Sequence, residues 1–460
     1  DLMPGATPSA FQNAVIDTPA RALTTNINGT TRNSNNTRLD GATNVLTWLP
    51  HHTVYVAPLE SIQTVNVSTN NFDAEQGLAG GAAITVQTKS GSNDFHAVAF
   101  EYHQNSAFDA KNFFTPVTSG VPKNIRHMYG GTLGGPIKKD RLFFFTSYEA
   151  MRERQSFASF YTIATPEMRT GDFSATGVKL YDPLTGNLDG SGRTEFAGAK
   201  IPANRISPIT SKLLALVPLP NQAGYVNNYY ASAPQVFDRH NLDIKLDWTK
   251  SAQTTVWGKY SIMNATVLCK FGLDKAGGSG LCSGGSGTGK TRVQLTTLGG
   301  SHVFSPRFLI DGTIGFTRYA HSTRAPDFGT NHGLQTLGIP GTNGPDIRQS
   351  GWPIFAISGY STLGQVDTWS PVDRWDNSWT YTINVSWSRK THDIRFGQDI
   401  ARQHMNHWQP EIGGRSPRGN FQFPGGITAL RGGASPNRFN SMADFLLGLP
   451  QNLGKSLQYY

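Results

Sequence analysis

Between Phe95 and the C-terminal end, extended segments are joined alternately by very short and very long connections, and few folds accept that alternation. Phe95–Asn105 places Val98, Phe100 and Tyr102 on one face and Ala97, Ala99, Glu101 and His103 on the other. His127–Ile137 and Leu142–Met151 then flank the polar turn Lys138–Arg141. The same arrangement recurs with Asn241–Trp248 and Thr254–Ile262 around Thr249–Gln253, with Arg292–Phe304 and Phe308–Tyr319 around Ser305–Arg307, and with Ser378–Trp387 and Asp393–Ala401 around Ser388–His392. Each is a hairpin signal. The long connections, Gln155–Phe237, Met263–Thr291, His321–Trp375 and Gln403–Ser441, are rich in Gly, Pro and Asn.

A compact soluble domain rarely contains structureless loops longer than about 15 residues. A transmembrane β-barrel of the outer-membrane type has this asymmetry by construction, with short periplasmic turns and long extracellular loops. In such a wall Phe308, Ile310, Ile314 and Phe316 would face lipid, while Asp311, Thr313 and Thr317 would face the lumen. A soluble β-sandwich alternates equally well but does not account for the loops. The first ninety or so residues read differently. They are rich in Asn and Thr, hold two strand candidates, Glu60–Thr69 and Ala82–Thr88, and suggest a small separate α/β or β unit.

Composition fits this reading. The 460 residues are 37% hydrophobic and 15% charged, below the usual share of both, and include 50 Gly and 26 Pro. No stretch approaches the roughly 18 apolar residues of a membrane helix, a test that cannot detect a barrel. The formal net charge of +9 comes from thinly spread Lys and Arg with no basic run, so no nucleic-acid partner is expected. The chain begins at Asp1 with no leader pattern, which suggests a mature or truncated product. Cys269 and Cys282, in a Gly-rich stretch, suit one loop disulfide in an oxidising compartment, with two free thiols as the alternative.

Several motifs fail their context. Gly284–Thr291 matches the phosphate-loop pattern, but Gly, Ser and Cys precede it and the period-2 stretch Arg292–Thr297 follows, where a buried strand and a helix are required. Asn187–Gly190 resembles part of a calcium loop, yet Thr185 and Phe196 stand where an Asp and a bidentate Glu belong. His404, His407 and Glu411 are spaced wrongly for one face of a strand, and His51–His52 is a weaker metal signal still. Nothing assembles a nucleophile, base and orienter, so neither an enzyme nor a cofactor is expected. Trp248, Trp257, Trp379, Tyr381 and Trp387 are candidates for an interfacial aromatic belt. Trp352, Tyr360 and Trp369, in a long loop, are candidates for contact with an extracellular ligand, with loop packing as the other role.

An ordered series of motifs then resembles a known family. Asn33–Asn36 with Leu39–Asp40–Gly41 and Asn44 is similar to a plug segment, and Glu60–Gln63, Asn71–Gly77 and Thr88–His96 are similar to the plug-to-barrel junction of TonB-dependent outer-membrane receptors of the Oar-like group. Tyr129–Asp140 followed by Phe143–Phe145 resembles that group's first barrel hairpin, and Thr170–Ser174, Ile201–Ile206 and Ala443–Gly448 are further similar pieces. The resemblance implies the later part of a plug over residues 1–90 and the N-terminal part of a barrel over 91–460, in the cell outer membrane. It implies a fragment, because such a barrel has 22 strands and about ten candidates stand here; Tyr459–Tyr460 would then be a truncation point. The implied activity is TonB-dependent uptake of a siderophore, oligosaccharide or peptide, and the rival is surface assembly or adhesion without transport. The implied partners are the inner-membrane TonB complex, outer-membrane lipid and an unidentified extracellular ligand. Leu39, Asp40, Gly41 and Asn44 would shape the plug, and Lys89, Ser90, Gly91 and Asn93 would carry the chain to the barrel wall.

Overall fold

The computed structural model describes residues 5–7, 14–20, 26–31, 34–69, 79–111, 121–282, 284–410 and 415–457. Asn33, the motif Asn71–Gly77, Glu411 and Tyr459–Tyr460 lie outside them.

Nine long strands form one antiparallel meander: β5 (His96–Asn105), β6 (Asn124–Lys138), β7 (Leu142–Tyr161), β8 (Tyr229–Ser251), β9 (Thr254–Cys269), β10 (Gly287–Ser305), β11 (Phe308–Arg324), β13 (Val372–Arg389) and β14 (His392–His404). Each pairs with its neighbour in this sequence, and the sheet runs from β5 at one edge to β14 at the other without closing. It is a partial barrel wall, mainly β as expected. All four expected hairpin turns are present, and Asp140 and Lys390 adopt φ of +63° and +55° there, the left-handed geometry that tight turns need.

Alternation assigns the two faces. Leu246, Trp248, Val256, Leu298, Ile314, Tyr381, Ile383 and Ile400 form a continuous exposed apolar girdle on the outer face. On β11, Ile314 points out, whereas Thr317 is buried on the inner face, as the parity predicts. Trp257 departs from the belt expectation. It lies on the inner face beneath the Lys245 ammonium, 5.2 Å from its ring centroid. The strands are also longer than the sequence suggests: β8 has 23 residues, against roughly ten needed to cross hydrocarbon. Above the girdle the outer face turns polar, as with Arg152, Asp238 and His240, so the outward apolar alternation ends before the hydrogen-bonded ladder does.

Two further bodies pack on this wall. A small sheet of β1 (Asn36–Leu39), β2 (Ala42–Thr43), β3 (Ile62–Thr69) and β4 (Ala82–Thr88), in the order β2-β1-β4-β3, sits against the inner face. At the long-loop end, the stretches expected to be irregular fold together. Together with the segment after Ser441 they supply α1 (Pro166–Arg169), α2 (Pro208–Leu214), α3 (Arg438–Leu446) and a sheet of β12 (Ile354–Ile357), β15 (Asn420–Phe423) and β16 (Asn452–Gly454). Around Phe173, Leu180, Leu213, Phe355, Phe423 and Phe445 they bury the largest apolar cluster among the described residues. Cys269 and Cys282 are disulfide-bonded at the base of this unit, with Cα atoms 5.7 Å apart.

Buried charge organises it as well. The Arg418 side chain is fully buried and donates from Nε to the Ser350 carbonyl (2.6 Å) and from Nη2 to the Ser370 carbonyl (2.5 Å). Burial pulls its guanidinium down to about 10, against the opposing charges of Asp327 and Asp367. Asp444, on α3, accepts from Thr428 N (2.8 Å), Thr428 Oγ1 (2.7 Å) and Ile427 N (3.1 Å). Burial outweighs these bonds and pushes its carboxyl up from 3.8 to about 6. A raised folded-state value favours the protonated form, so the stabilisation is complete below about pH 4 and is lost as pH rises through 6. The total is about 3 kcal/mol, of which roughly 1 kcal/mol falls between pH 7 and pH 5. Hydrogen exchange at the α3 amides should therefore be slower at pH 5 than the intrinsic rate change predicts, and Asp444→Asn should abolish the excess protection.

Candidate functional site: the buried seat of the small sheet

The link between the small sheet and the wall combines a buried apolar cluster, in which Leu39, Ala42 and Leu46 meet Met263, Val293 and Leu295, with a set of buried charges and hydrogen bonds. Leu39–Asp40–Gly41–Ala42 forms the turn from β1 to β2, with φ of +45° at Asp40 and +84° at Gly41. A Cβ on Gly41 would meet Thr313 Oγ1 of the wall at 2.8 Å. Glycine thus serves both the left-handed backbone and the close approach. Asp40 accepts from Thr88 N (3.0 Å) and Thr88 Oγ1 (2.8 Å), which fixes the end of β4, and from Lys259 Nζ of the wall at 2.9 Å. The Lys259 ammonium beside it holds the Asp40 carboxyl below its usual range, outweighing the cost of burial.

Lys259 is fully buried and also lies 3.5 Å from Asp243. Asp243 in turn accepts from Tyr55 Oη (2.9 Å), Ser147 Oγ (3.0 Å) and Ser261 Oγ (2.5 Å). Tyr55 is held in place by Asn44, which donates to its carbonyl (2.9 Å) and accepts from its N–H (2.8 Å). The motif residues Asp40 and Asn44 therefore reach one wall cluster from two directions. Around it, Asn241 donates to Val56 O (2.7 Å), Lys245 to Thr88 O (3.3 Å) and Thr317 to Thr43 O (2.8 Å). A second seat lies nearer the long-loop end, where Arg374 Nη1 is 3.0 Å and His321 Nε2 3.4 Å from Asp17 Oδ1.

The motif at residues 89–93 leads from β4 to the wall. Lys89 N donates to Ser61 O at 2.8 Å. A Cβ on Gly91 would stand 2.3 Å from Phe144 O and 2.8 Å from Gly135 O, so the chain passes against the first hairpin where no side chain fits. Asn93 then brackets the turn of that hairpin, donating to Asp140 Oδ1 (2.7 Å) and accepting from Asp140 N (2.8 Å). Between the small sheet and the wall lies a polar cavity of about 570 Å³ lined by Arg38, Asp40, Gln87, Ser90, Lys245 and Asn384, among others.

Other sequence candidates fall elsewhere. Trp352 is only 3% exposed and one face of its ring stacks on His332 at 4.0 Å. Tyr360 is part-buried and donates to Met168 Sδ at 3.3 Å, and Trp369 packs beside Ile16. All three pack within the outer unit or at its base, the other role that their place in a long loop allowed. Gly287 to Thr291 form the start of β10, with Lys290 exposed on the wall's outer face, so no phosphate cradle exists there. Lys259, Asp243, Tyr55 and Arg374 carry the seat but belong to no motif. Their signal in the sequence is charge at inward parity, seen as Asp243 and Lys245 on β8 opposite Lys259 and Ser261 on β9.

An antiparallel wall with an outer apolar girdle, short turns at one end and a large folded unit at the other defines part of an outer-membrane barrel. Residues 87–460 match the outer membrane beta barrel domain family, and the chain belongs to it. One stretch of 139 residues is 33% identical to the TonB-dependent transporter Oar of Myxococcus xanthus, covering 26% of this chain and 12% of that protein. Among solved structures, the outer membrane transporter YddB from Escherichia coli matches 91% of this chain and 46% of its own, with a TM-score of 0.52 at 10% identity. The ferric enterobactin receptor PfeA from Pseudomonas aeruginosa matches 88% of this chain and 45% of its own, with a TM-score of 0.46 at 12% identity. The chain thus spans less than half the length of these relatives. The resemblance to TonB-dependent receptors read from the motifs is borne out, and the protein is placed in the outer membrane.

Proposed function

We propose that the protein takes part in TonB-dependent uptake of an extracellular ligand, with residues 1–90 as the later part of the plug and residues 91–460 as the N-terminal part of the barrel. The observation that carries this reading is the chemistry of the seat. The contact made by Asp40, Lys259, Asp243 and the Tyr55 hydroxyl is ionic and hydrogen-bonded, and beside it Leu39, Ala42, Leu46 and Val54 pack on Met263, Val293, Leu295 and Tyr319 of the wall in one small apolar cluster. A buried ion pair is geometrically demanding, yet contributes little net stability compared with apolar packing of the same volume. Once water enters, each group finds a replacement partner. Such a seat holds one position accurately and can be pulled apart and remade. The polar cavity beside it gives water a place to begin.

The outer unit is the surface that a ligand meets first, and siderophore, oligosaccharide and peptide are the classes to test. The test uses the full-length protein with cysteines at Thr43 of the small sheet and Thr380 of the wall, where Thr43 N donates to Thr380 Oγ1 at 3.3 Å. Uptake of at least one class should require the gene and TonB, stop when the pair is oxidised and resume on reduction. Surface assembly without transport predicts instead that oxidation leaves all uptake unchanged while deletion alters the cell surface.

A further inference from the structure

Away from the seat, three donor side chains converge on the outer face of the first two wall strands. His103 of β5 stands directly opposite His127 of β6, and Glu101 lies on the same face of β5. His103 Nδ1 is 3.2 Å from His127 Nδ1, which is itself 3.0 Å from Glu101 Oε1. All three donor atoms fall within 4.8 Å of one another, and Glu101 and His103 are exposed.

Protons serve this arrangement poorly. One proton on His127 Nδ1 has to be shared between two acceptors, while protons on both Nδ1 atoms would face each other. A cation serves all three lone pairs at once. Donors about 2.0–2.2 Å from a tetrahedral ion stand roughly 3.3 Å apart, close to the two spacings found. We propose that Glu101, His103 and His127 form a binding site for a divalent late transition-metal ion, with a coordination position left open to solvent. Two imidazoles and one carboxylate select zinc, copper or nickel over magnesium or calcium.

The position suits capture from outside the cell. The three residues lie at the long-loop end of their strands, while Ala97, Ala99 and Leu133 of the same face lie toward the short turns. Arg152, the cross-strand neighbour of His127, is the adjacent cation, and its Nη1 is paired with Asp238 at 3.0 Å. Strand pairing at the open edge of β5 would use backbone groups and leave these side chains projecting outward. The proposal does not depend on ligand uptake.

The test is zinc and copper titration of the purified full-length protein after chelator treatment, with His302→Ala as the control variant. The chain has 12 His, so the comparison between variants decides. His103→Ala and His127→Ala should each weaken the tightest Zn2+ site at least tenfold, Glu101→Gln should weaken it several-fold, and His302→Ala should leave it unchanged. The Cu2+ form should show two equatorial imidazole nitrogens by electron paramagnetic resonance. Unchanged Zn2+ affinity in His127→Ala overturns the proposal. If either variant loses heat-modifiable migration, the spectrum of the unsubstituted protein decides, and fewer than two nitrogens overturns it.

Discussion

Replacing Lys259 with Met should unseat the small sheet while leaving the barrel wall intact. The substitution keeps most of the side-chain volume but leaves Asp40 and Asp243 buried without their shared counter-charge. Removing one partner of a buried ion pair costs about 3–5 kcal/mol, because the remaining charge has neither water nor a cation around it. The cost falls on the contact between the two bodies, since the wall's backbone ladder does not involve the ammonium. Heat-modifiable migration should therefore persist, while limited proteolysis should cut residues 1–90 much faster than in the unsubstituted protein. Adding Asp40→Asn should recover part of the loss by removing one stranded charge, and the non-additivity measures the coupling.

Gly91→Val should have a comparable effect by a different route. Its Cβ would be forced to 2.3 Å from Phe144 O and 2.8 Å from Gly135 O, both backbone atoms of a hydrogen-bonded hairpin that cannot rotate aside. Overpacking against movable side chains costs about 1–3 kcal/mol, and a clash with a fixed ladder exceeds that. The junction would then fail to pass the first hairpin, and the heat-modifiable form should be strongly depleted in outer-membrane fractions. Gly80→Ala, where the added Cβ finds nothing nearer than 3.5 Å, should assemble normally.

Much of the wall was legible in the sequence because one face of each strand must satisfy lipid. That requirement writes apolar residues at alternate positions, as at Leu246 and Trp248 or Ile310 and Ile314, and the short turns between strands are written in polar residues. Strand ends were misjudged where lipid stops constraining the outer face. The ladder of β7 and β8 continues through Arg152, Asp238 and His240 with no apolar alternation to mark it. The outer unit was least legible. Its core draws Phe173, Leu273, Phe355 and Phe423 from four separate connections, so no local period announces it. An aromatic in a strand suits the belt by type, but the odd position of Trp257 beside Lys259 places it in the lumen.

For the seat, the motif gave half. Asp40, Gly41 and Asn44 could be picked out, because a turn and a bracketed backbone demand particular residue types. For Lys259 and Asp243 only charge at inward parity stands in the sequence, and their pairing with the small sheet does not, because a partner across more than 180 residues has no spacing to betray it, as with Tyr55 and Asp243.

The most direct test of the account is whether the seat opens under TonB. Thr317 is buried on the inner face and donates to Thr43 O of the small sheet at 2.8 Å. A cysteine at 317, in the full-length protein in living cells, should resist a small thiol reagent at rest and react in energised cells that receive ligand from a mixed extracellular extract. Labelling should disappear without TonB or without the proton gradient. Equal labelling with and without TonB would contradict the claim that inner-membrane energy displaces this domain from the wall.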